Sequence, residues 1–345
     1  MGDPQIAVLE CNHVWKVFGT GIENLSRTTD AVKFASRVSA MKLVPAVRDV
    51  SLEVSRGEIF CVMGLSGSGK STLVRCMAGL TPLTRGNITL LGMDVGGCSA
   101  DQLRKLRRES VSMVFQDFAL LPHMTVLENV AFPLRVRGKS RSEREAAAQE
   151  MVNLVGLSGR ESYYPHELSG GQQQRVGIAR SLTTNPEVWF LDEPFSALDP
   201  LIRQDMQDEL LRLQSLLHKS IVFITHDFDE AIRLATRIGI MRDGTVIQIA
   251  SPENLVLHPA DDYVARFTSK VALADVVRVS TIMGPPMGQF DLEPLQSNSL
   301  VRHIAARVLD SGRAVPVVEG DRTVGSVAPA AVIDILTQRF TSARK

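Results

Sequence analysis

Residues 64–72 read GLSGSGKST, and directly before them stands the apolar run 59-IFCVM-63. From Gly64 through Ser71 the stretch fits G-x-x-x-x-G-K-[ST], a loop that works between the end of a buried strand and the first turn of a helix. In that setting the backbone of Gly64, Leu65, Ser66, Gly67, Ser68 and Gly69 can wrap an anion, because the first N–H groups of a helix have no intrahelical partner and point at it. Lys70 then neutralises the β- and γ-phosphates of a nucleotide, the Ser71 hydroxyl ligates Mg2+, and Thr72 reaches the α-phosphate. Such a unit demands a mostly parallel sheet covered by helices on both faces.

The rest of the chain agrees with that demand. After the helix expected from Ser71 to Ala78, with Gly79 as its C-cap, short Val- and Ile-rich runs alternate with helical patterns: 111-VSMVFQ-116, 188-VWFLDE-193, 221-IVFIT-225 and 237-RIGIM-241. Residues 100–166 are charged and helical apart from the first of these runs, which predicts a helical subdomain inserted into the α/β core. Within it 104-RKLRR-108 reads as a solvated helix face near Glu109, since no aromatic residues interleave for base stacking. Past Lys270 the texture changes: 284-GPPMG-288 is a turn-rich connector, and 314-AVPVVEGDRTVGSVAP-329 gives two strand-like runs around a turn. This tail is too short for a large core of its own.

Composition narrows the class. The 345 residues carry 38 Lys and Arg against 38 Asp and Glu, so overall charge proposes neither nucleic acid nor an anionic surface as partner. Cys11, Cys61, Cys76 and Cys98 form no C-x-x-C pair and match neither a metal nor a disulfide spacing, and Cys61, inside the apolar run before the loop, reads as a buried, inert thiol. The sequence lacks a signal-peptide pattern and an apolar run of the roughly 20 residues that span a bilayer. A soluble, cytoplasmic chain able to dock on a membrane protein is the expectation.

The apolar strand 188-VWFL-191 ends in Asp192 and Glu193, two carboxylates at the carboxyl edge of a buried strand, where α/β sheets bind ligands. Asp192 is expected to hold Mg2+ through water, and Glu193 to act as general base or to orient the attacking water. The run 221-IVFIT-225 delivers His226 to the same edge. A second anion-binding turn, 168-LSGGQ-172, lies far along the chain, with Gly170 and Gly171 adjacent after Ser169 and followed by Gln172.

Together these motifs resemble the ATP-binding cassette family, in its order: 64-GLSGSGKST-72, Gln116 in 114-VFQD-117, 168-LSGGQ-172, 188-VWFLDE-193, 196-SALD-199 and His226. The resemblance covers about residues 8–260. It implies a P-loop cassette with antiparallel β elements near the N-terminus, ATP and Mg2+ as ligands, and head-to-tail pairing in which Ser169, Gly170 and Gly171 serve the partner's ATP. It also implies that Phe18 stacks on adenine, with Trp15 as a neighbouring alternative, that Gln116 binds Mg2+ and couples the motor to a permease, and that Asp199 communicates between paired sites.

Three features narrow the resemblance to ATPase subunits of glycine betaine, proline and choline importers. One is the insertion at about residues 20–47 before the strand 50-VSLEV-54; the second is 115-FQDFALLPHMTVLENVAF-132 with 194-PFSALDPLIRQDMQDELLRLQ-214. The third is the tail, similar to the core of a cystathionine-β-synthase-like (CBS) regulatory module. About 70 residues after Asp275 hold one such module at most, so a sensor and a structural tail aiding the dimer both stay open. The implied organisation is an ATPase domain over residues 1–270 and a linker with a truncated module over 271–345. The implied partners are a second copy, integral-membrane permease subunits met near Gln116 to Pro122 and, indirectly, an extracytoplasmic binding protein, with no nucleic acid. The implied place is the cytoplasmic face of the membrane. Import of another solute, such as an amino acid or polyamine, and a non-transport ABC ATPase are the alternatives.

Overall fold

Ile59–Met63 is the strand that the phosphate loop requires, and all five of its residues are buried. In the computed structural model, which describes residues 6–25, 30–196, 198–286 and 292–338, it sits inside a six-stranded sheet. The strand order is Thr245–Ala250, Arg237–Arg242, Ile59–Met63, Ser220–Thr225, Val188–Asp192 and Val111–Val114. From Arg237–Arg242 to Val111–Val114 every neighbouring pair is parallel. Burial on both faces explains why the three middle strands, Ile59–Met63, Ser220–Thr225 and Val188–Asp192, are near-continuous apolar runs rather than alternating ones; Phe60, Trp189, Phe190 and Phe223 are among the largest fully buried side chains. Only Ser220–Thr225 separates the phosphate-loop strand from Val188–Asp192, so the carboxyl ends of all three share one edge.

The chain divides into two compact units, Met1–Ile247 and Gln248–Lys345. In the first, a four-stranded antiparallel sheet runs in the order Val44–Ser55, Ala7–Phe18, Arg85–Leu90 and Met93–Asp94. The insertion lays a helix, Ala31–Ala40, against this sheet, started by the Asp30 carboxylate, which accepts from the N–H groups of Val32 and Lys33. Residues 26–29 of the insertion lie outside the described residues. Phe34 and Val38 of the helix join Trp15, Val17, Leu25 and Leu43 in one buried cluster. Trp15 and Phe34 meet edge to face with ring centroids 5.2 Å apart, and the Arg85 guanidinium lies 5.2 Å from the Phe34 centroid.

The helix after the phosphate loop spans Lys70–Met77, and Gly79 beyond it takes φ +65°, as a left-handed C-terminal stop requires. Inside the stretch expected to be helical, Ala100–Glu109 opens with a Ser99–Gln102 capping box, and Val111–Val114 joins the edge of the core sheet. The helices Val126–Val136 and Arg141–Leu154 pack on each other and on Gly170–Leu182, so the helical layer takes in the helix opened by 168-LSGGQ-172, the signature motif of the cassette. The basic run makes structural bonds: Arg107 donates to the carbonyl of Gly79 at 3.4 Å and Arg108 to that of Val136 at 2.6 Å.

In the second unit, Leu295–Gln296 runs parallel to Val315–Glu319, which pairs antiparallel with Arg322–Val327 across the turn at Gly320 and Asp321. Helices Val301–Ser311 and Pro329–Leu336 pack on each other. Gly284, at the start of the expected connector, exchanges two backbone hydrogen bonds with Ser326; Met287 and Gly288 lie outside the described residues.

Candidate functional site

The phosphate loop is bound backbone to backbone. A Cβ at Gly64 would stand 2.2 Å from the Met241 carbonyl oxygen, and one at Gly69 would stand 2.0 Å from that of Ala46. These positions tolerate only glycine, whose φ is +153° at Gly64 and +99° at Gly69. The turn at Asp243 and Gly244 locks the loop from the side: the Gly244 N–H donates to the Ser68 carbonyl at 3.0 Å, and the Gly244 carbonyl accepts from the Arg48 N–H at 2.8 Å. Leu65 is exposed, Ser68 is buried with its hydroxyl unpartnered in the described structure, and Gly67 has open space where a Cβ would go.

Lys70 donates from Nζ to the carbonyls of Gly64 at 2.8 Å and Leu65 at 3.0 Å. It is 5% exposed, and burial lowers the pKa of its ammonium while Glu193 and Asp192 pull the other way. One turn into the helix, the Ser71 hydroxyl donates to Asp192 Oδ1 at 3.1 Å, and Arg75 approaches Oδ2 at 3.7 Å. Asp192 is buried, which raises its pKa against the opposing pull of Ser71 and Arg75. A hydroxyl and a carboxylate at this spacing, at the mouth of a glycine cradle, are oxygen donors that suit Mg2+ beside phosphate. The donor set therefore fits the ion.

Glu193 follows at φ +47°, an uncommon conformation for a residue with a side chain. It is held by its own N–H, which donates to the Ile224 carbonyl at 3.2 Å, and by Ser196, whose hydroxyl donates to the Glu193 carbonyl at 3.0 Å. His226 Nδ1 lies 3.2 Å from Glu193 Oε2. Beneath His226, Thr225 donates to Glu230 at 2.6 Å, and Arg203 pairs with both Asp227 at 3.4 Å and Glu230 at 3.7 Å. A small cleft lined by Glu193, Ser196, Arg203, Thr225 and His226 opens here.

Residues 64–72, Asp192, Glu193 and His226 thus come together as expected. Phe18 is 44% exposed with Lys16 over its ring at 4.9 Å, whereas Trp15 is 4% exposed beneath the inserted helix. Strand alternation turns the first outward and the second into the core. Gln116 is exposed at the start of its loop, and Asp199 precedes the helix Pro200–Leu217 without a side-chain capping bond. Ser169 caps Gly170–Leu182 in a reciprocal box with Gln172; Gly171 lies against Ile202, whose Cγ2 would be 2.6 Å from a Cβ there. Among the described residues no hydrogen bond or ion pair joins Ser169–Gln172 to residues 64–72. Missed in the sequence were Arg75, four positions after Ser71 on the same helix face, and Gln174, whose amide donates to the Pro194 carbonyl at 2.8 Å.

This arrangement defines a P-loop nucleotide-binding cassette of mixed α/β architecture. Residues 47–196 match the model of the ABC transporter family. Over 97% of the chain and 98% of the relative, 49% of residues are identical to the trimethylamine N-oxide transport system ATP-binding protein TmoW of Ruegeria pomeroyi. The glycine betaine transport ATP-binding protein OpuAA of Bacillus subtilis is 52% identical over 69% of this chain and 57% of its own length. Among solved structures, the dimeric post-hydrolysis state of the ATP-binding cassette MJ0796 bound to ADP and Pi aligns with TM-score 0.60 at 31% identity, over 71% of this chain and 98% of that one. The chain belongs to the ABC transporter family, among its ATP-binding subunits.

Proposed function

We propose that this chain hydrolyses ATP to power import of a small N-methylated amine, with trimethylamine N-oxide favoured over glycine betaine, proline betaine and choline, through separate membrane permease subunits. The observation that carries the solute is collinearity. Similarity to the TmoW proteins runs through 97–98% of the chain, short second unit included, whereas similarity to OpuAA covers 69% of it. A binding protein outside the membrane would deliver the solute. No helix among the described residues is long and apolar enough to cross a membrane, which suits a peripheral subunit on the cytoplasmic face. The cassette is assigned to residues 1–270, beyond the compact unit that ends at Ile247, and a linker with a truncated CBS-like module to 271–345, the module supported by the β-α-β-β-α order from Leu295 to Leu336.

Lys70 gives up the carbonyls of Gly64 and Leu65 for phosphate oxygens, and Phe18 offers its exposed ring to adenine. Ser71 and Asp192, with Gln116 closing in, would hold Mg2+, which when bound supplies charge stabilisation at the β- and γ-phosphate oxygens. Glu193 takes the proton of the attacking water, and His226 fixes Glu193 Oε2 so that the acceptor lone pair stays aimed. Ser169, Gly170, Gly171 and Gln172 serve the nucleotide of a second copy, with Asp199 beside that junction; the helix start supplies N–H donors for developing negative charge. The test is ATPase activity of the reconstituted transporter with its binding protein loaded in turn with trimethylamine N-oxide, glycine betaine, choline and an amino acid. Stimulation by trimethylamine N-oxide is expected; stimulation by the amino acid alone, or by none, overturns the solute assignment.

A further inference from the structure

Two consecutive residues in the loop after Gln116 carry strain. Phe118 and Ala119 stand at φ +58° and +47°, and neither is glycine. Residues with a Cβ hold this region only where surroundings over-determine it. The surroundings are Arg180, from the last turn of the helix Gly170–Leu182. Its two terminal nitrogens donate to the carbonyls of Phe118 and Ala119, both at 2.7 Å. The Arg180 side chain is half-buried, and burial lowers its pKa with no opposing charge. Among the described residues no carboxylate pairs with it. A charge left without a counter-ion, satisfied by strained carbonyls, is an expensive arrangement for mere packing. Further on, the fully buried Asn129 accepts from the Leu121 N–H at 2.8 Å and donates to the carbonyls of Leu121, Met124 and Thr125 at 3.0–3.1 Å.

The same helix begins at Ser169, about 16 Å away at 1.5 Å per residue, and its Gln174 bonds Pro194 next to Glu193. We propose that Arg180 is a positioning residue that clamps the loop of Gln116 to the signature helix, so that this loop and the Ser169 turn move as one body. The inference rests on Ser169, Gly170 and Gly171 serving the partner's nucleotide. It makes the helix a strut joining the loop to the nucleotide junction.

Hydrogen exchange of the full-length chain tests it in two arms. Without nucleotide, Arg180→Gln is expected to speed exchange across residues 117–121 about tenfold or more, for two lost charge-assisted bonds, leaving Val188–Asp192 unchanged; Arg180→Lys, able to reach one carbonyl, restores part of the protection. With MgATP in a Glu193→Gln background, residues 117–121 and 169–174 gain protection together when Arg180 is present. In Arg180→Gln only 169–174 gain it. Unchanged exchange at 117–121 overturns the clamp, as does loosening of the core sheet to the same degree. If the Arg180-containing chain shows no MgATP protection at 169–174, the junction reading falls, and the nucleotide-free arm still decides the clamp.

Discussion

Phe34→Ala should detach the insertion without unfolding the cassette. Phe34 is 3% exposed, meets Trp15 edge to face and lies under the Arg85 guanidinium. Removing a buried phenyl group from such a cluster costs about 3–5 kcal/mol. The helix it anchors, Ala31–Ala40, has 10 residues, too few to persist in water by propensity alone, so the loss exceeds what the helix can absorb in place. The core sheet shares none of these contacts. Hydrogen exchange should therefore find residues 31–40 exchanging like coil while Ile59–Met63 and Val188–Asp192 keep their protection. Trp15 would meet water while Trp189, 1% exposed, stays dry, so the fluorescence should split into a red-shifted and an unshifted component. Because Phe18 lies three positions along the strand from Trp15, affinity for MgATP should fall several-fold with little change in maximal turnover. Melting of the core sheet in step with the helix, or an unshifted spectrum, would refute the reasoning.

Gly64→Ala places a methyl group 2.2 Å from the Met241 carbonyl oxygen and should abolish binding of a fluorescent ATP analogue, whereas Gly67→Ala, with no protein atom within 4 Å, should keep the loop's fold at the cost of its φ of +80°, about 1–2 kcal/mol, and lose less binding; equal losses count against the steric account. Glu230 has a pKa raised above 4.5 by burial, opposed by Thr225 and Arg203. Its contribution is thus full below pH 4.5 and lost as pH rises through the raised value. Melting temperatures should favour Glu230→Gln increasingly above pH 4.5, and a gap that stays flat with pH contradicts this. Burial pushes the thiol of Cys76 to about 11 and raises Cys11 and Cys61 too, so near pH 8 a thiol reagent should label only the half-buried Cys98 in the native chain and all four in denaturant. Mixing Lys70→Ala chains with Ser169→Arg chains should yield heterodimers with one intact and one doubly broken site; two equally crippled sites would mean that the signature acts within its own chain.

The core of the site was legible because its chemistry is fixed by local spacing. Lys70 and Ser71 must follow Gly69 at a helix start, and Asp192 and Glu193 must end an apolar strand; nothing distant is needed to place them. The choice between Phe18 and Trp15 was also latent in the sequence, since period-2 alternation sends Trp15 and Val17 to one face and Lys16 and Phe18 to the other. What could not be read were the groups whose partners are main-chain atoms. Arg180 grips two carbonyls 61 and 62 positions away, and Gln174 holds Pro194. Backbone acceptors carry no sequence signal, so such bonds emerge only from the fold. The same holds for the extent of the helical layer. Composition marks residues 100–166 as charged and helical apart from the strand run at 111-VSMVFQ-116, but that Val111–Val114 takes the edge of the core sheet and that Gly170–Leu182 joins the helical layer are decided by packing.

The two glycine turns, at Asp243–Gly244 and at Gly320–Asp321, are alike as places to graft a fluorophore or an affinity tag and opposite in consequence. At Gly320 an added Cβ would meet nothing within 4 Å, and a fusion there should leave nucleotide handling untouched. Asp243 is just as open to solvent, yet its neighbour spends both backbone groups on Ser68 and Arg48. A reporter spliced into that turn would read out a protein that can no longer hold its phosphate loop.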